Sequence, residues 1–392
     1  MKKLLIASAI SALFAAPATV LAQAKPPAPP TLSQVLDASG ISVSGYVDAG
    51  YTYARRAAAF TDRVFDGQQN SFALNQFGLT VAKQPKEGFG GLVNITVGRD
   101  GQGVHSFPES SAAGAPGTTS MFDITQAFAQ YAGGPLTVIA GKFTTLHGTE
   151  VIASTGNTNI SRSILFGAVP FTHTGVRATW ALSDTFSLIA GVNNGWDQLI
   201  DSNKGKTVEL GATLNPIKPL SIVVSGYSGQ ESTTGTPSTT AQQGTRTSLN
   251  AVVSYTIIDP LSVGLEVLAV TQDNVPDGAG GTLKAKYNGV AGYVTYMFTP
   301  KFRGVLRVES FDDKNGFHFG AVPGFPTTPA TLATSDTKYR EGTVTLSYLA
   351  SDSFELRAEV RRDQANNEVF TDSTGSTSKN MMSAALSALY KF

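Results

Sequence analysis

From about residue 40 to the end of the chain, apolar and polar residues alternate with a period of two, in blocks of about ten. Ser353–Asp363 is the clearest block. Phe354, Leu356, Ala358 and Val360 fall on one face, and Ser353, Glu355, Arg357, Glu359, Arg361 and Asp363 on the other. In Lys301–Ser310, Phe302, Leu306 and Val308 oppose Arg303, Arg307 and Glu309. In Thr207–Leu214, Val208, Leu210, Ala212 and Leu214 oppose Thr207, Glu209, Gly211 and Thr213. Successive side chains of a strand point to opposite faces, so each block predicts a strand with one dry face and one wet face. Sixteen such strands are predicted, near 41–53, 71–83, 89–100, 121–132, 135–142, 171–182, 185–195, 205–214, 219–229, 245–257, 261–271, 284–298, 301–312, 338–350, 353–364 and 380–392.

The connections alternate short and long. The short ones are Gln84–Gly88, Gly133-Gly134, Ser183-Asp184, Asn215–Lys218, Asp259-Pro260, Thr299-Pro300 and Ser351-Asp352, most with the Gly, Pro, Asn or Asp of tight turns. The long ones are roughly 54–70, 101–120, 143–170, 196–204, 230–244, 272–283, 313–337 and 365–379. An even strand number with short turns at one end and long loops at the other predicts a transmembrane antiparallel β-barrel, its long loops external. A ten-residue strand tilted about 45° rises roughly 23 Å, close to the apolar band of such a barrel. A secreted sandwich is disfavoured, because its core would not accept Glu355, Arg357, Glu359 and Arg361 unpaired. A β-helix is disfavoured because no fixed short repeat is visible.

The N-terminus reads as an address. Lys2 and Lys3 precede an apolar run to Val20, and small residues stand around Ala22 and Ala24, so 1–22 is expected to be a secretory signal peptide. An N-terminal membrane anchor is the weaker reading, since Pro17 interrupts the run and no basic flank follows. Residues 23–40 are expected to form a periplasmic segment, with a stiff Lys25–Pro30 spacer and one or two helical turns in Thr31–Ser39. The barrel then occupies 41–392.

Composition narrows the function. Lys+Arg and Asp+Glu are both 29, and a net charge of zero argues against a nucleic-acid binder, which needs a basic surface. There is no cysteine, which excludes thiolate chemistry and disulfides. His147-Gly-Thr-Glu150 has a metal-ligand spacing but lacks the second histidine of the zinc-protease pattern. Gly98–Gly103 lacks the lysine and helix of a phosphate loop. No serine stands in a nucleophile context, so an enzyme is not expected, and neither a metal nor a cofactor.

The informative residues are the inward charges. Alternation turns Asp48, Arg177, Glu209, Glu266, Arg303, Arg307, Glu309, Glu355, Arg357, Glu359 and Arg361 toward the lumen. Charges of both signs predict a hydrated interior, and a sixteen-stranded barrel leaves an aqueous channel unless it is plugged. Passive diffusion of small hydrophilic solutes and ions is therefore the expected function. A solute-specific channel and a structural or adhesive barrel with partner-binding loops are the alternatives.

The chain resembles Gram-negative outer-membrane porins, most closely the OmpL-like β-barrel porins. The resemblance rests on Ser44–Tyr53, Leu74–Val81, Gly88–Asp100, Asn159-Ile-Ser-Arg-Ser163 with Pro170–Gly175, and the terminal Phe392, and it covers the mature chain. It implies that Tyr390 and Phe392 form a terminal aromatic signal read by the outer-membrane assembly machinery, and it suggests a homotrimer among outer-membrane lipid and lipopolysaccharide. It also implies that the third external loop, 143–170, folds inward as a constriction. That loop has Lys142 at its base and carries His147, Glu150, Asn157, Asn159 and Arg162. Glu150 is expected to face wall arginines across the gap and set selectivity, and Asn159 and Arg162 to pack the loop.

Overall fold

In the computed structural model, the described residues are 31–54, 62–66, 69–109, 120–233, 238–277, 280–319, 336–372 and 374–392. The predicted signal peptide and proline run lie outside them. Residues before Gly40 form a unit of their own. Its described part is helix α1, Leu32–Ser39, and Thr31 and Gln34 close a reciprocal capping box at its start.

From Ser42 the chain closes into a barrel. Its strands are β1 Ser42–Ala54, β2 Ser71–Lys83, β3 Gly88–Val97, β4 Phe122–Gly133, β5 Leu136–Thr144, β6 Thr172–Ser183, β7 Phe186–Asn193 and β8 Thr207–Ile217. They continue with β9 Leu220–Ser232, β10 Gln243–Ile258, β11 Leu261–Pro276, β12 Thr282–Thr299, β13 Phe302–Asp313, β14 Thr337–Ser351, β15 Phe354–Ala365 and β18 Asn380–Lys391. These sixteen strands pair antiparallel with their neighbours in sequence, and β18 pairs β1 to close the ring. The last external connection holds a hairpin that the sequence pattern does not announce, β16 Phe370–Thr371 with β17 Thr377–Ser378. Several strands end in β-bulges beside the short turns, as at Ala181/Ser183, Thr256/Ile258 and Leu349/Ser351, a usual feature of barrel rims.

Closure follows the alternation. Val47 pairs Tyr390, Ala49 pairs Ala388 and Tyr51 pairs Leu386, all on the outer face. Outward aromatics gather beside the short turns, as in the contacts Phe302–Tyr348, Phe89–Tyr131 and Tyr296–Phe298 at 5.0, 5.0 and 5.1 Å. Amphipathic rings favour this membrane–water interface.

Strands β11 and β12 run past their predicted ends at 271 and 284, and the reason is physical. On β12, outward Lys284, Lys286 and Asn288 are exposed, while inward Ala285, Tyr287 and Gly289 are buried. Beyond the bilayer the outer face meets water, so the alternation inverts and the apolar face turns inward. The inward face joins an apolar cluster containing Leu165, Val169, Leu268, Tyr287, Phe311 and Phe317. The interior of the external half is thus partly a packed core, where the sequence predicts a simply polar lumen.

Candidate pore constriction

The connection from β5 to β6 lies within the barrel and is bonded to inward side chains of many strands. Its first leg follows β9 to β11. The Leu146 amide donates to the Tyr227 hydroxyl at 2.8 Å. His147 meets Ser225 Oγ at 2.7 Å through Nδ1 and Ser248 Oγ at 2.9 Å through Nε2. Gly148 N donates to Asn250 Oδ1 at 3.1 Å and Thr149 N to Glu266 Oε2 at 2.8 Å.

The next leg crosses to β13. Glu150 accepts from the Ser163 amide at 2.5 Å and from Arg307 Nη1 at 2.6 Å. The Asn157 amide group then ties the loop to itself, taking the Val151 amide at 2.9 Å and donating to the Val151 and Ala153 carbonyls. Arg162 donates to the carbonyls of Val151, Ile160 and Ile152 at 2.9 to 3.1 Å. On β2, Gln76 holds both directions of the same segment, donating to Ile152 O and accepting from Ser154 N.

The return leg runs along β13 to β15. Asn159 donates to Thr345 Oγ1 at 2.7 Å. Glu359 accepts the successive amides of Ile160 and Ser161 at 2.7 and 3.0 Å. Glu309 accepts those of Ile164 and Leu165 at 3.0 and 3.1 Å, at the start of the short helix α2, Ile164–Gly167. Arg307 donates to Ser161 O at 2.8 Å, and Arg361 to the Arg162 carbonyl. A loop without regular structure has amides and carbonyls that need partners once buried. Wall carboxylates supply the acceptors and wall arginines the donors.

The remaining predicted wall residues pair locally. Arg177 grips Glu209, Nε to Oε1 at 2.5 Å, and lies 4.2 Å over the Phe143 ring. Arg303 and Arg357 share Glu355, and Arg357 also reaches Ser154 O. Lys142, at the loop's base, pairs Asp123 at 3.2 Å. Asp48 accepts from Ser387 Oγ at 2.6 Å.

This geometry departs from the expected open field. Glu150 does not face the arginines across a gap; it touches Arg307 directly. Nor is His147 paired with Glu150, since serines hold both its ring nitrogens. Among the described residues no group of three or more His, Asp or Glu could hold a metal ion.

Further partners come from other loops and are not singled out by the sequence pattern. Phe65 of the first loop packs tilted against Phe166 at 5.5 Å and stacks on Phe171 at 6.0 Å, and Arg63 ties the same loop to Ser383 on β18. Asp197 of the fourth loop accepts the Phe171 and Thr172 amides at 2.8 and 2.9 Å. Burial pushes its carboxyl up to about 6. Gln76, Asn250 and Thr345 were findable in principle, as uncharged polar residues on inward mid-strand positions.

Residues 40–392 match the family model described as "Putative beta-barrel porin-2, OmpL-like". No curated protein matches the chain. Among solved structures, the outer-membrane channel DcaP of Acinetobacter baumannii is similar over 90% of this chain and 97% of its own, with TM-score 0.59 and 16% identity. The anion-selective porin from Comamonas acidovorans is similar over 90% and 99%, with TM-score 0.59 and 11% identity. The trimer form of OmpT from Vibrio cholerae is similar over 90% and 99%, with TM-score 0.58 and 11% identity.

Proposed function

The chain belongs to the OmpL-like β-barrel porin-2 family, and from that premise we propose that its third external loop narrows a passive diffusion path for small hydrophilic solutes. It is a porin channel of the Gram-negative outer membrane. The observation that carries the narrower reading is the course of the loop. Residues 146–165 bond to inward side chains of β2, β9, β10, β11, β13, β14 and β15, so the loop lies across the interior instead of capping it.

The similarity to the trimer form of OmpT supports a homotrimer. Outer-membrane lipid and lipopolysaccharide would contact the outer wall, and the assembly machinery would read Tyr390 and Phe392.

Purified protein in a planar bilayer tests the reading. Discrete, weakly voltage-dependent conductance steps are expected. Insertion without conductance would leave a structural barrel.

A further inference from the structure

Resting on the channel reading, we infer that the path is lined by uncharged groups and passes neutral polar solutes in preference to ions of similar size. The first observation is the side of the third loop that remains accessible. Residues 151–157 lie inside the barrel, because Gln76 and Arg357 hold Ile152 O and Ser154 O from the wall. Exposure along this stretch therefore belongs to the lumen. His147, Glu150, Asn157 and Arg162 are 2%, 7%, 6% and 2% exposed. Val151, by contrast, is 45% exposed, and Thr155 and Gly156 are exposed with it. The loop turns its charges into the wall and an edge of methyl, hydroxyl and backbone groups toward the space.

The wall is a second, independent observation. Of the charged residues that the described strands turn inward, all but Arg303 and Lys391 are buried. Arg303 is paired with Glu355, and Lys391 ends the last strand at the periplasmic rim. Across β3 to β9, partly accessible inward positions include Asn94, Phe128, Ile139, Thr179, Ile189 and Val223, none of them charged.

Such a lining discriminates by charge without favouring a sign. An ion in a narrow passage gives up hydration, and hydroxyl and amide dipoles replace it only in part. A neutral solute exchanges hydrogen bonds with water for hydrogen bonds with threonine and asparagine and lays its apolar face on valine and isoleucine. The buried charges add little field, because each is held either by an opposite charge, as Arg307 by Glu150, or by hydrogen bonds, as Glu359 by the amides of Ile160 and Ser161. The solute class is a small uncharged polyol or monosaccharide.

Proteoliposomes loaded with labelled arabinose, gluconate and lysine at low salt test this. Arabinose should leave severalfold faster than either ion. In a planar bilayer under a KCl gradient, Thr155→Asp should shift the reversal potential toward cations and Val151→Lys toward anions, with both variants still heat-modifiable on gels. Gluconate or lysine leaving as fast as arabinose would overturn the inference, as would a reversal potential indifferent to both substitutions. If none of the three solutes leaves, the channel reading fails and takes the inference with it.

Discussion

Arg307 on β13 and Glu150 in the third loop form a buried ion pair, Nη1 to Oε1 at 2.6 Å, across 157 residues of chain. Glu341 also accepts from Arg307, at 3.3 Å, so the guanidinium bridges wall and loop. The loop is locked to the barrel through a charge that neither side can leave unpaired.

Breaking a buried pair typically costs about 3–5 kcal/mol. Glu150→Ala should therefore loosen the loop, raising open-channel noise and conductance. Glu150→Gln, which keeps an acceptor oxygen for Arg307 or the Ser163 amide, should be quieter than Glu150→Ala. Because Glu150 is buried, the reversal potential should hardly move in either. Glu150→Ala as quiet as the parent protein would mean that other contacts alone hold the loop.

Deleting residues 147–165 should raise single-channel conductance severalfold. It should also change selectivity, because the deletion uncovers wall groups that now bond to the loop. On β13 to β15 these are Glu309 and Glu359 with Arg307, Arg357 and Arg361, and beside them the same inward face carries Glu341, Glu355, Asp363 and Arg303. With Glu266 on β11 the uncovered wall carries a net negative charge, so the reversal potential should move toward cations. Unchanged conductance and selectivity would place the loop outside the path.

At the seam, Gly45 and Phe392 exchange two backbone hydrogen bonds, both at 2.9 Å. The Phe392 ring lies 6.4 Å from that of Phe77 and 6.2 Å from that of Tyr390. A Cβ on Gly45 would stand 2.5 Å from the Phe392 ring. Deleting Phe392, or replacing it with Asp, should leave protein in the periplasm, and Gly45→Val should do so more mildly by pushing the ring aside. The heat-modifiable fraction on detergent gels reads the effect; parental levels in all three would remove the seam from assembly.

Asp197 gives a pH dependence. Its folded carboxyl titrates at about 6, above the 3.8 of the free group, because burial disfavours the charge. The folded state then binds more protons than the opened one between these values. Closure of the fourth loop over Phe171 and Thr172 should be strongest below about pH 4 and weaken as pH rises through about 6. Hydrogen exchange at these two amides, corrected for its intrinsic rate, should show opening become easier over that window. Asp197→Asn should abolish the dependence.

The wall follows from the residue pattern alone. Period-two alternation set the number of strands, their order and which side chain faces lipid, because a pleated strand permits no other projection once one face is dry. It placed Arg307, Glu309 and Glu359 inward and Tyr390 and Phe392 outward. Alternation says nothing about the diameter of the space or what enters it. That Glu359 captures the amides of Ile160 and Ser161, that Gln76 clasps Ile152 and Ser154, and that Val151 faces the lumen while Glu150 turns away were decided only by tertiary structure. Those contacts join residues far apart in the chain, and their reason is the demand of each buried amide and charge for a partner. A lumen that reads as charged along the strands thereby becomes neutral where a solute would touch it.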